Sequence, residues 1–172
     1  MLFRSLCGGT LQPVLETLEY LKNETDTWFE ITTLLIPGEN DSESELDKLT
    51  SWVVEKLGPD VPLHFSAFHP DWKLRDHSST PPATLTRARE IALKNGVRYA
   101  FTGNVHDPDG AATYCHECGS KLIGRSWYQL NEWNLTADGR CGKCGATCAG
   151  RFESSPGDWG SRAQPIRISN YQ

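Results

Sequence analysis

Two short stretches constrain this chain more than anything else in it: Tyr114-Cys115-His116-Glu117-Cys118-Gly119 and Arg140-Cys141-Gly142-Lys143-Cys144-Gly145. Each is a Cys-x-x-Cys-Gly knuckle, and 22 residues separate Cys118 from Cys141. Two residues between paired cysteines let a tight turn aim both sulfurs at one point. Four thiolates so aimed sit at the corners of a tetrahedron, about 2.3 Å from a metal ion. The glycine after each second cysteine accepts φ > 0, so the chain can curl and direct backbone N–H groups at the sulfurs. Arg140 and Lys143 are placed to offset the negative charge of four thiolates. The spacing predicts Cys115, Cys118, Cys141 and Cys144 as the ligands of one zinc or of a single iron, between which the motif does not choose; zinc is the favoured ion. Four protein ligands leave no open coordination position, so the metal is structural rather than catalytic. Cys148 lies four residues past Cys144 and reads as an incidental thiol, although it could replace a ligand. Cys7 stands alone before Gly8-Gly9.

At 172 residues the chain suits one domain plus a small appendage. Its net charge of −5 argues against a nucleic-acid surface, which rests on clustered Lys and Arg. No apolar run approaches the 18 or so residues needed to span a membrane. The start, Met1 to Cys7, has too short an apolar region for a secretory signal. Cysteines in metal spacing rather than in a disulfide framework point to a reducing compartment, and the expected location is the cytoplasm.

Residues 1–110 alternate helix and strand signals. Thr10 is placed to cap a helix with Val14, Leu15, Leu18 and Leu21 at helical spacing, ending near Lys22-Asn23. Trp28 to Ile36 reads as a strand, and the unalternating Leu34-Leu35-Ile36 predicts burial on both faces of a parallel sheet. Ser42-Glu43-Ser44-Glu45 is a capping-box pattern opening a helix with Leu46, Leu49, Val53 and Leu57 on one face. Val61 to Phe68 is a second strand, Thr80-Pro81-Pro82 opens a third helix, and Val97 to Phe101 begins a third strand. Strands separated by helices of this length mean βαβ units in an α/β fold with parallel strands. The series opens on a helix with no strand before it, and open parallel edges are costly. The α/β part therefore reads as a piece of something larger, a barrel segment or a sheet completed by another chain. Residues 111–150 form a small zinc-ribbon or rubredoxin-like four-cysteine module, with Leu122, Ile123, Trp127, Tyr128, Leu130, Trp133 and Leu135 in short strands between the knuckles. Residues 151–172 read as an irregular, loosely attached tail.

Three stretches carry a resemblance: Thr32-Thr33-Leu34-Leu35-Ile36-Pro37-Gly38-Glu39-Asn40-Asp41, His64-Phe65-Ser66-Ala67-Phe68-His69-Pro70-Asp71-Trp72, and Tyr99-Ala100-Phe101-Thr102-Gly103-Asn104-Val105-His106. They resemble the later strands of radical S-adenosylmethionine (SAM) enzymes, in particular the AmmeMemoRadiSam system enzymes, which are related to the pyruvate formate-lyase activating enzymes. The resemblance extends through the double knuckle. It implies the C-terminal portion of a (β/α) barrel, whose strand ends line the SAM and substrate cavity. By position the implied cofactor-facing residues are Ile36, Pro37, His69 and Asn104, with His106 and Trp72 of second rank. His64 is expected on a packing face.

The family's chemistry also needs C-x3-C-x2-C, three thiolates that hold a 4Fe–4S cluster and leave one iron open to SAM. That motif is absent: Cys141, Cys144 and Cys148 run in the order C-x2-C-x3-C. SAM and the cluster are thus implied only for the intact family enzyme, and this chain is expected to be inactive alone, with Met1 an internal start or the chain a fragment. The partner implied is the missing N-terminal barrel half or a protein substrate. A non-catalytic zinc-ribbon interaction module is the rival reading. A nucleic-acid-binding ribbon stacking bases on Trp127, Tyr128 and Trp133 is disfavoured by net charge.

Overall fold

The computed structural model describes residues 6–157, and the chain divides into two units, the first running to Gly110 and the second starting at Ala111. The first unit runs α1 (Leu11–Glu24), β1 (Ile31–Leu35), α2 (Glu43–Leu57), β2 (Leu63–Ala67), α3 (Pro82–Lys94) and β3 (Ala100–Gly103). It is a parallel three-stranded sheet in the order β1-β2-β3, with Leu35 beside Ala67 and Phe65 beside Thr102.

The helix boundaries follow from local chemistry. The Ser42 hydroxyl accepts the Glu45 N–H at 3.3 Å, and Gly58 closes α2 at φ 88. Pro82, with φ preset for the first turn, opens α3. Asn95 ends α3 and reaches across to α2, where its side-chain amide donates to the Thr50 hydroxyl at 2.8 Å and to Asp47. Thr10 occupies the N-cap position of α1 without a side-chain hydrogen bond, contrary to expectation. The reason is local: the third helical residue is Pro13, which has no N–H to give.

One core joins sheet and helices. Leu35, Leu63, Phe65 and Ala100 point to the same side and pack with Leu46 and Val53 of α2 and Leu85, Ala88 and Ala92 of α3. α1 lies against α2 but buries none of its own residues. The other side of the sheet is different. Thr32 is exposed and Leu34 is 44% exposed, so the expectation that β1 is buried on both faces is corrected. Side chains alternate along a strand, and α2 and α3 both pack on the Leu35 side, which leaves the Leu34 side uncovered at β1. His64 lies on this second face, stacked on Phe101 at 4.9 Å, with Nε2 2.6 Å from Glu30. The strands are also shorter than expected: Trp28 to Glu30 precede β1, Val61 and Pro62 are buried ahead of β2, and β3 starts only at Ala100.

The second unit is an antiparallel sheet of β4 (Thr113–Tyr114), β5 (Lys121–Ser126) and β6 (Gln129–Trp133), in that order. A β-bulge falls at Gly124/Arg125, where a side chain on Gly124 would meet Asn131 and Glu132. Of the tail, residues 158–172 lie outside the described residues. Its first part is anchored: Phe152 packs edge-on to Trp133 at 6.2 Å, and its ring fills the space over Gly139 and Gly150.

Thr80 stitches the ends of the sheet together. Buried, it donates to the Leu35 carbonyl, accepts the Phe68 N–H at 2.9 Å, and sends its own N–H to the Phe68 carbonyl at 3.0 Å. Thr80→Val keeps the shape and strands a buried donor and a buried acceptor, at about 1–3 kcal/mol each. Urea denaturation of that variant should show a loss of about 2–6 kcal/mol, with Thr80→Ser close to wild type.

Candidate functional site

Both knuckles fold by one hydrogen-bond pattern. In the first, the Cys115 N–H donates to the Ser120 carbonyl at 2.8 Å and the Gly119 N–H to the Cys115 carbonyl at 2.9 Å. In the second, the Cys141 N–H donates to the Ala146 carbonyl at 2.8 Å and the Gly145 N–H to the Cys141 carbonyl at 2.9 Å. Gly119 and Gly145 take φ of 69 and 77, with nothing within 4 Å of where a Cβ would stand. Backbone conformation, not space, therefore asks for glycine at these positions.

The two knuckles bring four sulfurs to one place. Sγ atoms of Cys115, Cys118, Cys141 and Cys144 all lie within 4.8 Å of one another. Cys115 and Cys144 are 3.6 Å apart, and Cys118 and Cys141 are 3.7 Å apart. A tetrahedron with metal–sulfur bonds of about 2.3 Å has edges of about 3.8 Å, so the donor set fits a single zinc or iron ion. These separations are far longer than the roughly 2.05 Å of a disulfide. Cys115 and Cys141 are buried, while Cys144 is exposed, so the site is open to water on one side.

The surroundings are built to favour thiolates unequally. The Ser120 hydroxyl, 3.3 Å from the Cys118 sulfur, and the Ser120 N–H lower the Cys118 pKa to about 6. The backbone N–H groups of Cys144 and Lys143 lower that of Cys141. At Cys144 the Ala146 N–H pulls the same way, but desolvation and the three neighbouring thiols outweigh it and push the value to about 12. Ser120 was not singled out from sequence; a hydroxyl two residues past a ligand carries no distinctive pattern.

The remaining sequence candidates separate by position. Cys148 is buried, but its sulfur is not in the four-sulfur group; its N–H pairs with the Gly139 carbonyl at 3.0 Å. Arg140 binds Asp138 at 2.9 Å and the Gly145 carbonyl at 3.3 Å, so it braces the second knuckle through its backbone. Cys7 is exposed in the first unit.

Ile36, Pro37, His69 and Asn104 all lie just past the C-terminal ends of β1, β2 and β3. Ile36 is buried, and its N–H donates to the Asn40 side chain at 2.8 Å, which shapes the Pro37-Gly38 turn. His69 is exposed, with Nδ1 3.3 Å from the Ser79 hydroxyl. Asn104 takes φ 59 and donates to the Ala67 carbonyl at 3.3 Å, tying the end of β3 to that of β2. Trp72 is a surface aromatic, 75% exposed, beneath the Lys73 ammonium at 4.5 Å; His106 is exposed. At the same end, His77 lies between Asp76 and Glu39, a cluster that sequence reading missed although Asp76-His77 is adjacent in the chain.

No family model matches the chain. It is similar to an uncharacterized protein of Methanocaldococcus jannaschii, 41% identical over 144 residues, which make up 83% of this chain and 43% of that protein. The chain thus spans less than half the length of that relative. No helix among the described residues is long and apolar enough to cross a membrane.

Metal analysis by mass spectrometry should find about one ion per chain. Cys141→Ser should lose most of it and lower the melting temperature of the second unit, because a closed metal site contributes folding energy outright. Cys148→Ser should keep the full complement.

Proposed function

We propose that this chain is the C-terminal portion of a radical SAM enzyme of the AmmeMemoRadiSam type, a partial (β/α) barrel joined to a structural zinc ribbon. The observation that carries the reading is the asymmetry of the parallel sheet. Its strands run in sequence order with α2 and α3 on one face only, as in a barrel wall, whereas a doubly wound sheet is covered on both. The opposite face, with Leu34, His64 and Ser66, corresponds to the inside of such a wall. Ile36, Pro37, His69 and Asn104 gather at the strand ends where barrel enzymes build their sites.

The cluster-binding chemistry is not in this chain. Its six cysteines include no C-x3-C-x2-C, and four of them converge as the four-sulfur group of the second unit. In an intact enzyme the 4Fe–4S cluster and SAM supply a 5′-deoxyadenosyl radical for hydrogen abstraction. The residues here would contribute cavity wall: Pro37 and Asn104 as shape, His69 as a polar contact. The ribbon site holds zinc, and the chain works in the cytoplasm with the N-terminal barrel half, or with a protein substrate, as partner.

A second reading, a zinc-ribbon interaction module, is favoured by one feature. The β5–β6 hairpin turns through Trp127 and Tyr128, with Trp127 65% exposed at φ 52 and Leu130 exposed beside them. Glycine is the usual residue at such a φ in a two-residue turn, so an aromatic there suits a contact surface.

Purification without air separates the two. This chain should carry about one zinc and no acid-labile sulfide, and should yield no 5′-deoxyadenosine from SAM and dithionite. The longer archaeal relative, treated alike, should bind iron and sulfide and cleave SAM. A relative without a cluster would sink the barrel-fragment reading and leave the interaction module. Sulfide bound to this chain would overturn the zinc assignment.

A further inference from the structure

The connection between β2 and α3, residues 68–81, is long for a compact domain and contains no helix or strand. Loops of that length usually do something, or else are loosely held. This one is closed at its base, where Phe68 and Thr80 exchange two hydrogen bonds. The base of the loop is thus fixed to the end of β2 independently of the residues between.

Among the described residues, the hydrogen bond that ties the body of this loop to the turn after β1 comes from His77. The Nε2 of His77 lies 3.2 Å from Glu39 Oε1, and its Nδ1 lies 2.9 Å from Asp76 Oδ1. The ring is 20% exposed and meets the Phe68 ring edge-on at 6.4 Å. Glu39 sits in the turn after β1, the turn that carries Pro37 and is shaped by the Asn40 side chain. A carboxylate only accepts hydrogen bonds, and a neutral imidazole has one N–H. The ring can donate to both carboxylates at once only as the imidazolium, with an N–H on each nitrogen. Loss of one proton turns one of the two contacts into opposed lone pairs.

We propose that His77 is a proton-dependent latch: protonated, it straps the β2–α3 loop to the β1–α2 turn across the C-terminal ends of the strands, and deprotonated it lets the loop swing away. The charged groups facing the imidazole are Asp76 from its own loop and Glu39 from the turn; Phe68 supplies an uncharged ring edge. The direction of titration agrees with this geometry. The hydrogen bond that His77 donates to Asp76 first, and the one it donates to Glu39 next, raise the His77 pKa above 6.5 against the cost of desolvation. The same bond to His77 lowers the Asp76 pKa. A group whose folded pKa is raised contributes its stabilisation in full below the unfolded value, here about 6.5, and loses it as pH climbs through the folded value. Asp76 works in the opposite sense, and its share fades only as pH falls through its lowered pKa. The latch is closed between these limits and opens on the alkaline side.

Hydrogen exchange of peptides from residues 69–79, measured between about pH 5.5 and 8.5 and normalised at each pH to His77→Gln, tests the latch directly. Wild-type exchange should be about two- to fivefold slower than that of the variant at the acid end, and the two should converge as pH rises. An NMR titration of the His77 ring should show a midpoint above 6.5 that Glu39→Gln moves down. A wild-type to variant ratio that stays constant across the range overturns the proposal. So does a ring midpoint at or below 6.5, or one that Glu39→Gln leaves in place.

Discussion

Mutual repulsion among four sulfurs is the constraint on which the second unit depends. Cys115, Cys118, Cys141 and Cys144 converge within 4.8 Å, and backbone N–H groups, with the Ser120 hydroxyl, are aimed to stabilise thiolates there. Full deprotonation of such a group calls for a cation at its centre. The apolar interior of the second unit is small. Its buried apolar side chains beyond the cysteines are Ala112, Leu122 and Ile123 among the described residues, far short of a self-sufficient core. Cys115 and Cys141, buried members of the four-sulfur set, belong to that small interior as well as to the unit's chemistry.

The first unit is organised by a different imbalance. Its helices satisfy one side of the sheet and leave Leu34 standing in solvent on the other. α1, although patterned with Val14, Leu15, Leu18 and Leu21, buries none of them. Val14 is exposed and Leu15, Leu18 and Leu21 are half-buried, so the stripe is covered only in part. The polar devices are concentrated at one end of the sheet instead: Thr80, Asn40, Asn104 and His77 all act where the strands finish.

Much of this was legible in the order of residues. The knuckles announced the metal site because ligand spacing is set by turn geometry, and the structure brings together the same four cysteines that the spacing selects. Helix starts at Ser42 and Pro82 were readable because capping is local chemistry. Where reading failed, the deciding partner lay elsewhere. Leu34-Leu35-Ile36 looks the same whether one face is covered or two, and only the placement of α2 and α3 decides it. The His77–Glu39 pair joins positions 38 residues apart, beyond any window that periodicity or motif can scan. Thr10 misled for a nearer reason, since the proline that cancels its cap is three residues away in plain view.

The equivalence of the two knuckles has a consequence for how the ribbon assembles. Each is a complete two-toothed clip, held by its own pair of backbone bonds, so either can seize an ion by closing a loop of only four residues. Bringing the second clip onto the same ion closes a far longer loop, across 22 intervening residues, and costs about 1.5 kcal/mol more chain entropy on a logarithmic scale. The β5–β6 hairpin lies inside that loop, and once formed it shortens the path the chain must search. The pairing of β5 with β6 therefore lowers the chain entropy that the longer closure costs.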